Sequence, residues 1–133
     1  MDNQIIRLSD DRKSGFVGHY RDLAVYKKAF DVSLAVHRAS LTFPKIEQYG
    51  LADQMRRASK SICANIAEGF AKQQSSKADF KRFLLMAVGS AHEMNVWCDY
   101  CEALNYVDPD TINNWKEEYV SVTKMLQALY SKA

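Results

Sequence analysis

Glycine and proline are scarce in this chain, which has five glycines and two prolines among 133 residues. Folds built from many short strands need such residues at their turns, so the composition favours long helices. Long apolar runs are also absent, since no segment approaches the roughly 20 apolar residues that cross a bilayer. The polar start MDNQIIRLSDDRK lacks the apolar centre of a secretory signal peptide. We therefore expect an all-α, cytoplasmic protein that makes no contact with membranes.

The three cysteines cannot all pair within one chain, which is typical of a reducing compartment. Cys98 and Cys101 form a C-x-x-C pattern in a helical segment, without a second pair or a suitably spaced histidine, so buried thiols are favoured over a zinc site. His92 and Glu93 do not begin an H-E-x-x-H motif, because Val96 stands where the second histidine is required. No phosphate-binding glycine loop or nucleophile turn occurs. We therefore expect no catalytic activity, metal, cofactor or small-molecule substrate.

What the chain does contain is material for one compact domain, with 47% hydrophobic and 26% charged residues. Residues 1–20 show no sustained period, carry four consecutive charged residues and hold two glycines, which predicts a flexible N-terminal segment. Residues 21–133 are predicted to form the folded domain.

Four segments of the domain show helical periodicity, over residues of about 21–41, 51–71, 76–104 and from 109 onward. Ser76 with Asp79 resembles a capping box at the start of the third helix, and Asp108 followed by Pro109 is a strong start signal for the fourth. The predicted inward stripes are Val25 or Tyr26, Ala29, Val32, Val36 and Ala39; Leu51, Met55, Ala58, Ile62 and Ile66; Phe80, Leu84, Ala87, Ala91, Met94, Cys98 and Cys101; and Ile112, Trp115, Tyr119, Val122, Leu126 and Leu129. Alternating spacings of three and four predict an antiparallel up-down four-helix bundle.

A second, polar stripe runs along the predicted second helix and has counterparts on the third. Its members are Arg57, Ser61, Asn65 and Glu68, with Ser90 and Glu93 on the third helix. A cation, carboxylates and an amide on facing helices are compatible with an active site. We favour a structural polar network instead, in which these groups pair between helices or between subunits and Arg57 forks against Glu68 or Glu93, because polar groups near a core must be paired.

The second and third helices also carry weakly polar residues outside their inward stripes. These are Ala64, Ala67 and Ala71 on the second helix and Leu85, Gly89 and Val96 on the third. Apolar surface of this extent is normally covered by a partner, so these residues are candidates for a homo-oligomer interface.

Charge is nearly balanced overall, at a formal +2, but it is unevenly spread. Residues 1–90 hold 15 basic and 9 acidic side chains, whereas residues 91–133 hold 3 and 7. The basic excess predicts a cationic end of the bundle that contacts nucleic acid, although an ordinary solvated surface is an equal alternative. The candidate nucleic-acid-binding residues are Arg56, Lys60, Lys72, Lys77, Lys81 and Arg82. Tyr49, Phe70 and Tyr100 are possible base-stacking residues, with core packing as the favoured alternative.

Four blocks of sequence carry a resemblance to a known family. They are DLAVYKKA at residues 22–29, FPKIEQYGLADQMRRA at 43–58, SICANIAEG at 61–69 and FLLMAVGSAHE at 83–93. From Arg21 to Leu129 the chain resembles the small bacterial four-helix-bundle proteins encoded in intervening sequences of 23S ribosomal RNA genes. These proteins are related to accessory proteins of diversity-generating retroelements.

The resemblance implies a four-helix bundle that assembles into a homo-oligomer, specifically a pentamer, and the basic surface predicts RNA or a reverse transcriptase as its partner. It implies no catalytic role for the polar stripe, whose positions match recurring motif residues of the family. We therefore expect a non-enzymatic oligomer that binds structured RNA, or an enzyme acting on nucleic acid, through a basic surface. The alternative is a protein–protein assembly scaffold that never touches nucleic acid.

Overall fold

The computed structural model describes residues 18–133, so most of the segment expected to be flexible, residues 1–20, lies outside the described residues. The four helices are α1 (Ala24–Ser40), α2 (Leu51–Lys72), α3 (Lys77–Ala103) and α4 (Pro109–Lys132). Short 3₁₀ turns, Tyr20–Asp22 and Lys45–Glu47, precede α1 and α2. Residues 18–133 contain no strand, so the predicted all-α fold is confirmed.

The described helix ends follow from local capping chemistry. Ser76 Oγ accepts a hydrogen bond from the Asp79 amide at 3.1 Å, and Asp108 Oδ1 accepts one from the Thr111 amide at 2.9 Å, as the start signals predict. The first helix begins three residues later than predicted. Leu23 has an extended backbone and separates the turn Tyr20–Asp22 from α1.

Contacts between successive helices are those of an antiparallel bundle. Between α2 and α3, Cys101 Sγ lies 3.3 Å from Met55 Sδ, and Ser90 Oγ lies 3.0 Å from Ser61 Oγ. As residue numbers rise along α2, those of the contacted residues fall along α3, and the α1–α2 and α3–α4 pairs behave in the same way. The α1–α4 pair closes the bundle and includes an ion pair between Lys28 and Glu118.

The predicted inward stripes of α3 and α4 match the buried residues of those helices in full. On α2, Leu51 is only partly buried, while Ala52, Ser59 and Gly69 join the core. On α1, Val25 and not Tyr26 is buried, and Ser40 takes the place predicted for Ala39. Burial of each large apolar side chain stabilises the fold by about 1.5–3 kcal/mol, so these stripes supply the main driving force. Within residues 18–133, no helix is both long enough and apolar enough to cross a membrane.

Candidate nucleic-acid interface

The turn between α2 and α3 brings four of the six candidate cations to one end of the bundle. Lys72 is the last residue of α2, Lys77 is the first residue of α3, and Lys81 and Arg82 follow one turn later. The turn itself is well anchored, because the Ser76 amide donates to the Lys72 carbonyl at 2.9 Å and the Gln73 side chain is buried. We call Lys72, Lys77, Lys81 and Arg82 the basic end.

Two of these cations make cation–π contacts with aromatic rings. Lys81 Nζ lies 4.7 Å from the ring centre of Tyr130 on α4, and the Arg82 guanidinium lies 4.6 Å from that of Phe83. Arg82 also pairs with Asp79 at 3.5 Å, but both side chains are well exposed, so this pair contributes little. Among the described residues, no ion pair involves Lys72, Lys77 or Lys81. No carboxylate of the described residues therefore neutralises these three ammonium groups.

Helix termini of both signs meet at this end. The N-terminus of α3 carries a partial positive charge, whereas the C-termini of α2 and α4, which end at the same side of the bundle, carry partial negative charges. These dipoles largely offset one another. Lys132, in the last turn of α4, adds a further cation at this end. The positive potential of the basic end therefore comes from its side chains.

The other two candidates lie away from the basic end. Arg56 faces the α1–α2 connection, where its guanidinium donates to Ser40 Oγ at 2.9 Å and to the Gln48 carbonyl at 2.8 Å. Lys60 is 12 residues from Lys72 along α2, a rise of about 18 Å, and its ammonium contacts the His37 ring. The six candidates thus do not form one patch, and Arg56 is engaged in holding the fold.

Only part of the predicted polar network forms. Ser61 and Ser90 are joined by their hydroxyl groups, and Asn65 Nδ2 donates to the Ser61 carbonyl at 2.9 Å and hydroxyl at 3.1 Å. This cluster satisfies polar groups where α2 and α3 pack closely. It holds no carboxylate and no cation.

The predicted fork of Arg57 against Glu68 or Glu93 does not form within the chain, and its pairing between subunits stays a prediction. Arg57 Nε pairs with Asp53 at 2.9 Å, one turn earlier on the same helix. Glu68 is three turns away, about 16 Å along α2, which is too far for the Arg57 and Glu68 side chains to meet. Glu93 accepts a hydrogen bond from the Trp97 indole at 3.0 Å instead.

Five of the six oligomer-interface candidates are exposed, namely Ala64, Ala71, Leu85, Gly89 and Val96, and the sixth, Ala67, is partly buried. Sequence reasoning missed Met86 and Tyr100, which are 46% and 53% exposed on the same outer side of α3. Together they form what we call the outer face: Leu85, Met86, Gly89, Val96 and Tyr100. Tyr49 is also exposed, whereas Phe70 packs against the core.

Cys98 and Cys101 are buried in the bundle, as predicted for the C-x-x-C pair, whereas Cys63 is partly buried. Burial raises the pKa of Cys98 and of Cys101 to about 12 each, and that of the partly buried Cys63 to about 11. Residues 18–133 contain no cluster of three or more histidine, cysteine or acidic side chains placed to hold a metal ion.

Comparison with known proteins gives a family and a fold. The sequence of residues 21–128 matches the family of 23S rRNA-intervening sequence proteins. A crystal structure of a protein of unknown function from the S23 ribosomal protein family of Bacteroides thetaiotaomicron is similar, with a TM-score of 0.72 and 21% sequence identity. The similarity covers 80% of this chain and 95% of that one. No curated protein matches the sequence. Because the family match spans most of the chain and all four helices, this protein belongs to the 23S rRNA-intervening sequence protein family.

Proposed function

We propose that this protein is a non-enzymatic homo-oligomer that binds structured RNA through the basic end of the bundle. The observation that carries the proposal is the concentration of Lys72, Lys77, Lys81 and Arg82 around one anchored turn. Backbone phosphates are the ligand that such a cluster attracts without reading sequence.

Assembly of several copies would strengthen RNA binding, because one cluster of four cations gives only weak binding. The outer face of α3 offers apolar area of the kind that subunit contacts cover. Several copies would present several basic ends to one RNA, and avidity then raises the overall affinity by roughly 10²–10⁴. The resemblance noted above supports five copies.

The experiment is an anisotropy titration of a fluorescein-labelled RNA hairpin at a series of salt concentrations. The test variant is Lys72→Gln with Lys77→Gln, which leaves the partly buried, ring-contacting Lys81 in place. The matched control is Lys45→Gln with Lys124→Gln, which removes the same charge from exposed sites elsewhere. We expect the test variant to weaken hairpin binding and to reduce the salt slope by about 1–2, and the control to change neither.

The competing candidate is a protein-only scaffold, and the outer face favours it in one respect. Leu85, Val96 and Tyr100 are each about half exposed, and such a surface binds proteins more readily than phosphates. A scaffold predicts no measurable hairpin affinity at physiological salt. Equal affinity of the test and control variants would also count against the basic end.

A further inference from the structure

A groove of about 310 Å³ lies between α1 and α2. Its lining residues are Tyr26, Phe30, Ser33, Leu34, His37, Lys60 and Cys63. Apolar and aromatic walls with a few polar groups at one end are the usual composition of small-ligand sites, and the volume falls at the lower end of their range. None of the seven lining residues is acidic.

The aromatic wall of the groove is the end of a longer row of rings. Tyr20 meets Tyr26 edge-on, with ring centres 5.0 Å apart, and Tyr26 lies nearly parallel to Phe30 at 5.9 Å. Phe30 is the last ring of this row and is 42% exposed. A large aromatic side chain held by a neighbouring ring and still open to solvent is a platform on which a flat ligand can stack.

The opposite end of the groove is cationic. Lys60 Nζ contacts His37 Nδ1 at 2.9 Å, and the guanidinium of Arg56 lies behind them on the α1–α2 connection. Burial and the charge of Arg56 lower the pKa of the Lys60 ammonium, in agreement with a positive potential at this site. An anion placed here would relieve that repulsion.

We propose that this groove binds one unpaired nucleotide of single-stranded RNA, with the base against Phe30 and a phosphate at Lys60 and His37. Phe30 and His37 are two turns apart on α1, about 10 Å along the axis, so the aromatic platform and the Lys60 ammonium beside His37 lie within a short span. A wholly apolar peptide would leave the Lys60 ammonium without a partner, and a base within a duplex would have to break its pair and its stack before it entered the groove. This inference rests on the proposal that the protein binds RNA, and it adds a single-strand site to it.

The experiment uses the full chain and unstructured oligouridylate and oligoadenylate strands labelled with fluorescein. Phe30→Ala removes the platform, and Lys60→Gln removes the phosphate contact. The matched controls are Val120→Ala, which truncates a comparably exposed apolar residue on α4, and Lys45→Gln. We expect Phe30→Ala to weaken strand binding about tenfold, which lies within the range for the loss of one base–aromatic stack, and Lys60→Gln to weaken it further. The controls should bind like the parent.

A second measurement keeps an aromatic ring at position 30 and detects base stacking through the fluorescence of that ring. In Phe30→Trp the new indole is expected to be quenched when a base stacks on it, whereas Val120→Trp is expected to be unaffected. Equal strand affinity of Phe30→Ala and the parent, or no quenching of the Phe30→Trp variant at strand concentrations that saturate the anisotropy, overturns the groove as a single-strand site. In that case hairpin binding that still depends on Lys72 and Lys77 leaves the proposed function standing.

Two further outcomes separate the remaining possibilities. If neither hairpin nor strand binds at any salt concentration, both proposals fall. If adenosine monophosphate quenches the Phe30→Trp variant but strands do not bind, the groove takes free nucleotides, and the single-strand proposal is overturned.

Discussion

Lys60 on α2 and His37 on α1 lie with Nζ and Nδ1 2.9 Å apart. At this distance the ammonium donates, so the imidazole must accept through a Nδ1 that carries no proton. The Lys60 charge is the largest cause, ahead of burial, Arg56 and Arg38, of the lowering of the His37 pKa from its usual 6.5. The pair therefore favours the neutral form of His37.

We expect NMR titration of the His37 ring to give a pKa below 6.5 in the parent and a higher value in Lys60→Gln. The folded state lowers this pKa, so the unfolded chain binds the proton more readily once the pH falls below about 6.5. His37 should then reduce the free energy of unfolding at acidic pH and have no effect above that range. Lys45→Gln serves as the control, and an unchanged His37 pKa in Lys60→Gln would disprove the coupling.

Asn105, in the α3–α4 connection, is the one described non-glycine residue with a left-handed backbone, at φ 60°. This conformation lets the Tyr106 amide bond the Cys101 carbonyl at 2.9 Å and closes the end of α3. We expect Asn105→Ala to lower the free energy of unfolding by about 1 kcal/mol and Asn105→Gly to leave it equal or higher. Urea melts of Asn114→Ala, an exposed helical site, give the comparison, which should show no loss.

The inward stripes were predictable because burial imposes a strict period on α3 and α4. Every predicted core residue of these two helices is buried. The first helix was harder to predict, since Val25 and Tyr26 both continue the pattern. The periodicity alone does not say which of two adjacent apolar residues faces the core when an aromatic row lies beside it.

The site residues were less predictable, because side-chain partners depend on reach as well as on sequence spacing. Arg57 reaches Asp53 on its own helix and not the glutamates three turns away or on α3. Arg56, which the charge count grouped with the surface cations, turns inward to the α1–α2 connection. The sequence contains only a weak signal for the groove at Phe30, namely that Tyr26, Phe30, Leu34 and His37 follow spacings of four, four and three.

The cysteines give a prediction about reactivity. With the pKa values of Cys98 and Cys101 at about 12 and that of Cys63 at about 11, few thiolates form at pH 8, so an aromatic disulfide reagent should react slowly with the native protein. In urea all three thiols should react quickly.

Purified protein is expected to carry less than stoichiometric zinc. Cys101→Ala is expected to lower the free energy of unfolding by about 1–3 kcal/mol without removing a bound metal. One zinc per chain, lost in that variant, would refute this.

Two glycines inside helices should respond to alanine in opposite ways. A Cβ at Gly69 would lie 3.0 Å from Phe83 Cβ and 3.4 Å from the Phe80 carbonyl, so Gly69→Ala forces α2 and α3 apart and should cost about 1–3 kcal/mol. A Cβ at Gly89 meets no atom within 4 Å. Gly89→Ala should therefore raise the free energy of unfolding by up to about 1 kcal/mol through helix propensity alone. Equal effects in urea melts would show that α2 and α3 are not packed as described.

The open space at Gly89 also provides a test of assembly. Because Gly89 is exposed and a Cβ there has open space, Gly89→Arg should leave helicity and the fold of each subunit intact. On the outer face, however, an arginine would place a long charged side chain among Leu85, Met86 and Val96. We expect light scattering to give the parent a mass several times 15.2 kDa and Gly89→Arg a mass closer to one chain. Gln127→Arg, which adds the same charge at an exposed position on α4, should keep the parent mass. A parent that remains monomeric at micromolar concentration would remove the avidity on which the RNA proposal relies.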